Sequence, residues 1–307
     1  MLNPDTCMPL ILANPTLKPR GASWPVGRAC ALLACPLALA TQAQEPAADR
    51  SLDEPPAAAA PAPTPTSVSW EGAIGLSAQY RPEYAGAQHR VLKVTPALFV
   101  RYGRFTITNA SGFVTRRADD VVRGLGVDLL ARDRLSVKLS LRYDRGRAED
   151  TSNSLSGMGD IPATVRARLV ANWRLDGPWR AGLSWSVDAL GRGGGNLGDI
   201  SVGWEQRVTP ATQFAASLSL ALAGDRYMQT YYGISQEQAA RTGRPVYQAR
   251  AGWRDVTGSV SLRHDLGPEW TLLVGLSASR QLGPAAASPL TTQRNGWSAS
   301  LAAAWRF

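Results

Sequence analysis

The chain ends Trp297-Ser298-Ala299-Ser300-Leu301-Ala302-Ala303-Ala304-Trp305-Arg306-Phe307. Its odd positions are Trp297, Ala299, Leu301, Ala303, Trp305 and Phe307; its even positions are small or polar. Successive side chains of a strand point to opposite faces, so this segment has one apolar and one wet face. The two tryptophans on the apolar face stand about as far apart as the two aromatic girdles of a membrane-crossing strand. A closing strand with a terminal aromatic therefore points to a barrel in a bilayer.

The same period of two recurs upstream. Its cleanest instance sets Leu135, Val137, Leu139, Leu141 and Tyr143 outward, with Ser136, Lys138, Ser140, Arg142 and Asp144 inward. The next sets Val165, Ala167, Leu169, Ala171 and Trp173 outward, with Arg166 and Arg168 inward. Similar segments start at Val68, Leu92, Phe105, Leu125, Trp179, Ile200, Phe214, Val256 and Trp270. The sum is about twelve strands, each near the ~9–11 residues that cross a bilayer at a tilt.

Connections alternate too. Gly103-Arg104, Arg132-Asp133-Arg134, Asp176-Gly177-Pro178, Thr209-Pro210-Ala211 and Gly267-Pro268-Glu269 are tight. Arg81–Arg90, Thr115–Asp120, Gly146–Asp160, Gly191–Leu197, Gly224–Asp255 and Leu282–Gly296 are mostly longer. Short turns at one end and long loops at the other are the asymmetry of outer-membrane barrels, with the short turns periplasmic. The expected fold is all-β: a closed antiparallel transmembrane β-barrel of about twelve strands. An even strand number leaves both mature termini in the periplasm of a Gram-negative cell.

Ahead of the barrel (68–307) two other segments are expected. Residues 1–43 read as a signal peptide: Arg20 and Arg28, an apolar run from Ala29 to Ala40, then small residues with cleavage after Ala43 or Ala40. Residues 44–67 are rich in Pro and Ala and have almost nothing large to bury, so they read as a disordered periplasmic tether. Cys7, Cys30 and Cys35 all precede the cut, and the mature chain needs no disulfide.

The formal charge of +9 would suit nucleic acid, but the arginines are spread singly through alternating strands, and no nucleic-acid partner is expected. Outer-membrane lipid is the expected surrounding medium. His264 falls on an outward face with no Ser and Asn at matching depth, and reads as an interfacial histidine. His89 sits in the first long loop beside Arg81, Glu83 and Arg90, where an acid protease or deacylase site is the minor alternative. No cluster has metal-ligand spacing. Catalytic residues, metal ligands and cofactors are therefore all expected to be absent, and the chain reads as a non-enzyme. The charges placed in the lumen are Arg142, Asp144, Arg166, Arg168, Glu205 and Arg207. These could plug the lumen with ion pairs or line a conducting path.

One loop has a character of its own. It runs Asp225-Arg226-Tyr227-Met228-Gln229-Thr230-Tyr231-Tyr232-Gly233-Ile234-Ser235 and continues through Gln236 to Gly243, where one or two helical turns capped by Ser235 are expected. Asp225, Arg226, Tyr227, Tyr231 and Tyr232 are its candidate lid or partner residues. This run, with Gly243-x-Pro245-x-Tyr247, resembles the MipA/OmpV family. So do Arg81-Pro82-Glu83-Tyr84-Ala85-Gly86, Gly157-Met158-Gly159-Asp160-Ile161 and Leu282-Gly283-x-Ala285-Ala286-x-Ser288-Pro289. Ala286 stands where the family more often has an acid. The resemblance implies an outer-membrane barrel that acts as a scaffold for peptidoglycan enzymes, with a lytic transglycosylase and a penicillin-binding protein as partners. Other members imply a porin-like small-solute channel or an adhesin.

Overall fold

The computed structural model describes residues 70–109 and 123–307. Twelve strands form one closed antiparallel sheet in which each strand pairs with its chain neighbours and the first pairs with the last. They are β1 (Trp70–Pro82), β2 (Arg90–Tyr102), β3 (Phe105–Thr108), β4 (Gly124–Ala131), β5 (Leu135–Asp144) and β6 (Thr164–Arg174). The second half comprises β7 (Trp179–Asp188), β8 (Asn196–Thr209), β9 (Thr212–Ala223), β10 (Gly252–Asp265), β11 (Trp270–Gln281) and β12 (Asn295–Arg306). The expected signal peptide and tether, Val68, and the Thr115–Asp120 loop lie outside the described residues.

The alternation read from the C-terminal strand holds around the wall. Trp305, Ala303, Leu301 and Ala299 stand opposite Ile74, Leu76, Ala78 and Tyr80 of β1. On their other side they stand opposite Trp270, Leu272, Val274 and Leu276 of β11. Directly paired residues share a face, so apolar rows run continuously around the outside. Leu76, Leu92, Leu125, Leu183, Leu218 and Leu276 are all exposed there. Such a belt in water would be a large uncovered apolar surface; hydrocarbon covers it. Aromatics edge both ends. At the short-turn end Trp70 and Trp305 pack on Phe307, with ring centroids 5.6 and 5.1 Å away. At the long-loop end Tyr80 and Trp297 are 5.6 Å apart.

The wall departs from simple alternation at three register shifts, one of them in β8 between Arg207 and Thr209, beside the short turn to β9. In β4 the register shifts between Asp128 and Leu130, so Ala131 pairs with Ser136 on the inner face rather than continuing the outer row of Leu125 and Val127. In β10 it shifts between Trp253 and Asp255. This strand begins at Gly252, inside the segment expected to be loop, and Trp253 joins the outer belt. A bulge inserts one unpaired residue and reverses the facing of those beyond it. Within the irregular third segment Phe105–Thr108 forms a strand, and residues 110–122 lie outside the described part of the chain.

Leu218 is 53% exposed at the middle of β9, and its neighbour Ser217 faces the lumen beside Ser259. Leu218→Arg should lose about 2–4 kcal/mol in liposomes, the cost of a cation near the bilayer midplane. Ser217→Arg should lose far less. Equal urea midpoints for the two adjacent variants would contradict the assignment of faces.

Candidate functional site

The long-loop end is covered by a folded lid. After β9 the chain forms α1 (Asp225–Tyr232) and α2 (Gln236–Thr242); after β11 it forms α3 (Gly283–Ala287). Ser235 caps α2 as expected: its hydroxyl accepts from Gln238 N, and the Gln238 side chain returns to Ser235 N at 2.9 Å. Gly243 closes the helix at φ 69°, a left-handed conformation that glycine adopts without strain. Helix α1 is a further element, beyond the turns expected after Ser235. Its signal was local: Tyr227 and Tyr231 are four apart and stack at 4.4 Å, while Met228 and Tyr232, also four apart, are buried.

Four loops knit into this lid. Met228 and Tyr232 pack with Ala223, Ala249 and Ala285. Met158 packs with Ile234 and Leu290, and Leu155 packs with Tyr84 and Ala87. Polar contacts cross the same boundaries. Tyr84 Oη donates to Leu290 O at 3.0 Å, Gln238 Nε2 to Met158 O at 2.6 Å, and Tyr247 Oη to Pro284 O at 2.8 Å. Arg147 Nη1 donates to Tyr231 O at 2.8 Å. The motifs around Tyr84, Met158, Tyr231 and Ala285, far apart in sequence, are thus parts of one structure.

The candidate loop residues take different places in it. Tyr231 and Tyr232 face inward, and burial pushes both phenols up, Tyr231 to about 12 and Tyr232 further still. Asp225 Oδ1 accepts from Ala251 N at 2.6 Å, and Arg226 Nη2 donates to Gly191 O at 2.5 Å. Both of these are exposed latches on the lid's outer edge.

Beneath the lid is a chamber of about 630 Å³. Arg142, Asp144, Arg166 and Arg168 line it, joined by Asp199, Tyr227, Arg254 and Asp255. The ion pairs run along the wall and leave this space open. Arg166, 3% exposed, donates through Nε to Asp144 Oδ2 at 2.7 Å and through Nη2 to Gly194 O at 2.5 Å. Its guanidinium lies 5.3 Å from the Tyr227 ring centroid, which couples the lid to the wall. Arg168 pairs with Asp199 at 3.0 Å and shares Ser184 with it. Asp199 was legible, since Ile200 and Val202 point outward beside it. The Arg254–Asp255 pair, 2.5 Å, was not. These neighbours both reach the chamber only because the β10 bulge breaks parity between them.

Glu205 and Arg207 sit apart from this chamber, toward the short turns. Glu205 pairs with Arg180 at 2.9 Å and accepts from Gln213. Arg207, beside Gln213, is exposed near that rim. His264 also lies near that end, its Nδ1 2.9 Å from Thr212 Oγ1. No group of three or more His, Cys, Asp or Glu able to hold a metal occurs among the described residues.

Two outcomes test this arrangement. Asp144→Asn strands the buried Arg166 charge and should cost about 3 kcal/mol, whereas adding Arg166→Gln should recover part of it; strictly additive losses in a urea double-mutant cycle would contradict the coupling. Tyr231 has a folded pKa raised above its unfolded value of 10.0, so it supports the lid fully below pH 10 and stops doing so as pH climbs toward about 12. Proteolysis within Gly224–Gly252 should accelerate across that window in step with tyrosinate absorbance. A flat profile would refute the role of the buried phenols.

No curated relative matches the sequence. Among solved structures, the NanC porin aligns with a TM-score of 0.40 at 10% identity, covering 76% of this chain and 98% of that one. The outer membrane channel DcaP of Acinetobacter baumannii aligns with a TM-score of 0.36 at 9% identity, covering 78% and 97%. OmpT of Vibrio cholerae gives 0.36 at 7%, covering 78% and 97%. The family described as MltA-interacting protein MipA matches residues 74–307, which takes in the wall from Ile74 onward, the lid and all four lid motifs. The chain belongs to the MipA family, as an outer-membrane β-barrel protein.

Proposed function

We propose that this protein is a non-enzymatic scaffold that holds peptidoglycan-remodelling enzymes at the outer membrane. The family description, MltA-interacting protein, supports a lytic transglycosylase as the direct partner. A penicillin-binding protein is the second partner in this reading, reached through the first. The observation that carries it is the lid. Loops from four hairpins are packed over the long-loop mouth with buried Met228, Tyr232 and Ile234, which suits a barrel that presents a rim more than one that passes solutes freely.

In this reading residues 1–43 are removed on export, and residues 44–67 extend into the periplasm beside the short turns. Both termini and the turns at Asp176-Gly177-Pro178 and Gly267-Pro268-Glu269 then face the murein layer, where the enzymes work. The mature protein should retain a lytic transglycosylase in a pull-down from solubilised envelopes. It should lose that partner when residues 44–67 are deleted and the two turns are replaced by Gly-Ser. Unchanged retention by that variant would move the docking surface elsewhere; no retention by the intact protein would overturn the scaffold.

A small-solute channel is the second reading, favoured by the 630 Å³ chamber inside the wall. Planar-bilayer recording separates the two. The scaffold reading expects little steady conductance; large stable openings that change when Arg166 and Arg168 are replaced support the channel.

A further inference from the structure

We propose that the chamber beneath the lid is a binding site for a sugar-sized oxyanion, a phosphorylated or carboxylated polyol. Charge is the first argument. Four arginines, Arg142, Arg166, Arg168 and Arg254, line the chamber against three aspartates, even before Arg123 at its edge is counted. Each aspartate is already engaged by the wall. Asp144 accepts from Arg166, Asp199 from Arg168 and Ser184, and Asp255 from Arg254 and from Thr257 at 3.1 Å. Arg142 is left 3.8 Å from an Asp144 oxygen that Arg166 holds at 2.7 Å. Its side chain is 42% exposed, and that of Arg168 is 33% exposed, so solvent reaches both. A guanidinium presents a planar fork of donors that fits phosphate or carboxylate. Inside a low-dielectric wall a surplus of fixed positive charge attracts a counter-anion more strongly than it would in water.

Size and lining give the second argument. A volume of about 630 Å³ is far more than an inorganic ion fills, and it falls in the ~300–1,000 Å³ range of small-molecule sites. Ser186, Ser219, Thr257 and Asn172 bring hydroxyl and amide groups to the same space. Around the barrel the inner wall continues as a row of hydroxyls, Ser217, Ser259, Ser277 and Ser298, with successive strands in register. The Tyr227 ring, flanked by Arg166 and Arg254, supplies an apolar face in the roof. Cations on one side and hydroxyls on the other match a solute that is a polyol with an acidic group. The site stands independently of the scaffold reading, since it uses residues inside the barrel and none on the rim.

The test is calorimetric titration of the full mature chain, folded in detergent at low ionic strength. The ligands are glucose 6-phosphate, glucuronate, inorganic phosphate and glucose. The first two should bind, phosphate should bind at least tenfold more weakly, and glucose should give no heat. Arg142→Gln should weaken the two sugar anions about tenfold, the loss of one charge-assisted contact. Arg207→Gln, on the exposed rim, should leave them unchanged. Heat-modifiable migration and a β-sheet circular dichroism spectrum certify that each variant is folded. Absence of sugar-anion binding by the folded wild type, equal affinity in Arg142→Gln, or equal weakening by Arg207→Gln each overturns the site. Inorganic phosphate bound as tightly as glucose 6-phosphate, or glucose bound as tightly as either sugar anion, overturns the assignment to an acidic polyol.

Discussion

Hydrocarbon offers no partner to a backbone N–H or C=O group. An open edge on this sheet would therefore leave a line of polar groups stranded in lipid, at a cost of several kcal/mol each. The pairing of β1 with β12 answers that constraint. It runs from Ala73–Arg306 to Tyr80–Ala299 and is finished by Gly72 and Phe307, which exchange N–H to O bonds of 3.1 and 3.0 Å. Closure dictates the other features. The outer face must be apolar, the inner face is free to be polar, and all irregular chain is pushed to the two ends.

The inner face uses that freedom unevenly. Charged pairs gather on the wall from β5 to β8 and at the β10 bulge, whereas the middle stretch of β9 to β12 presents serines, two from each strand. A second buried group lies toward the short turns, where Arg263 and Arg306 share Asp265 at 3.3 and 3.2 Å. Beside it Phe99, Ala73, Ala97 and Ala304 form a small apolar core on the lumenal side. The chamber thus lies against β5 to β10, and the apolar cluster packs along β1, β2 and β12 toward the short turns.

Most of the wall was legible because its code is local. Two residues along a strand return to the same face, so Leu139 and Ser140 could be assigned from their immediate neighbours. The bulges escaped because an inserted residue reverses that parity without a change of composition, as at Arg254. The lid escaped for the opposite reason. Its capped helix α2 was readable from Ser235, Gln238 and Gly243, but the packing of Tyr84 on Leu155, or Met158 on Ile234, joins segments that no local period connects. The motifs of the loops were visible; their convergence was not.

The loop between β1 and β2 is tied to the loop between β11 and β12 by Tyr84 to Leu290, Gln293 to Gly86, Thr292 to Gly86 and Gln88 to Thr292. These loops flank the seam where the chain's two ends meet. At the opposite end Trp305 stacks on Phe307 and Trp70 meets Phe307 edge-on over the same seam. The zip between first and last strand is thus buttoned at top and bottom. Such a wall resists parting sideways into the bilayer, the route by which some barrels trade strands or release lipid.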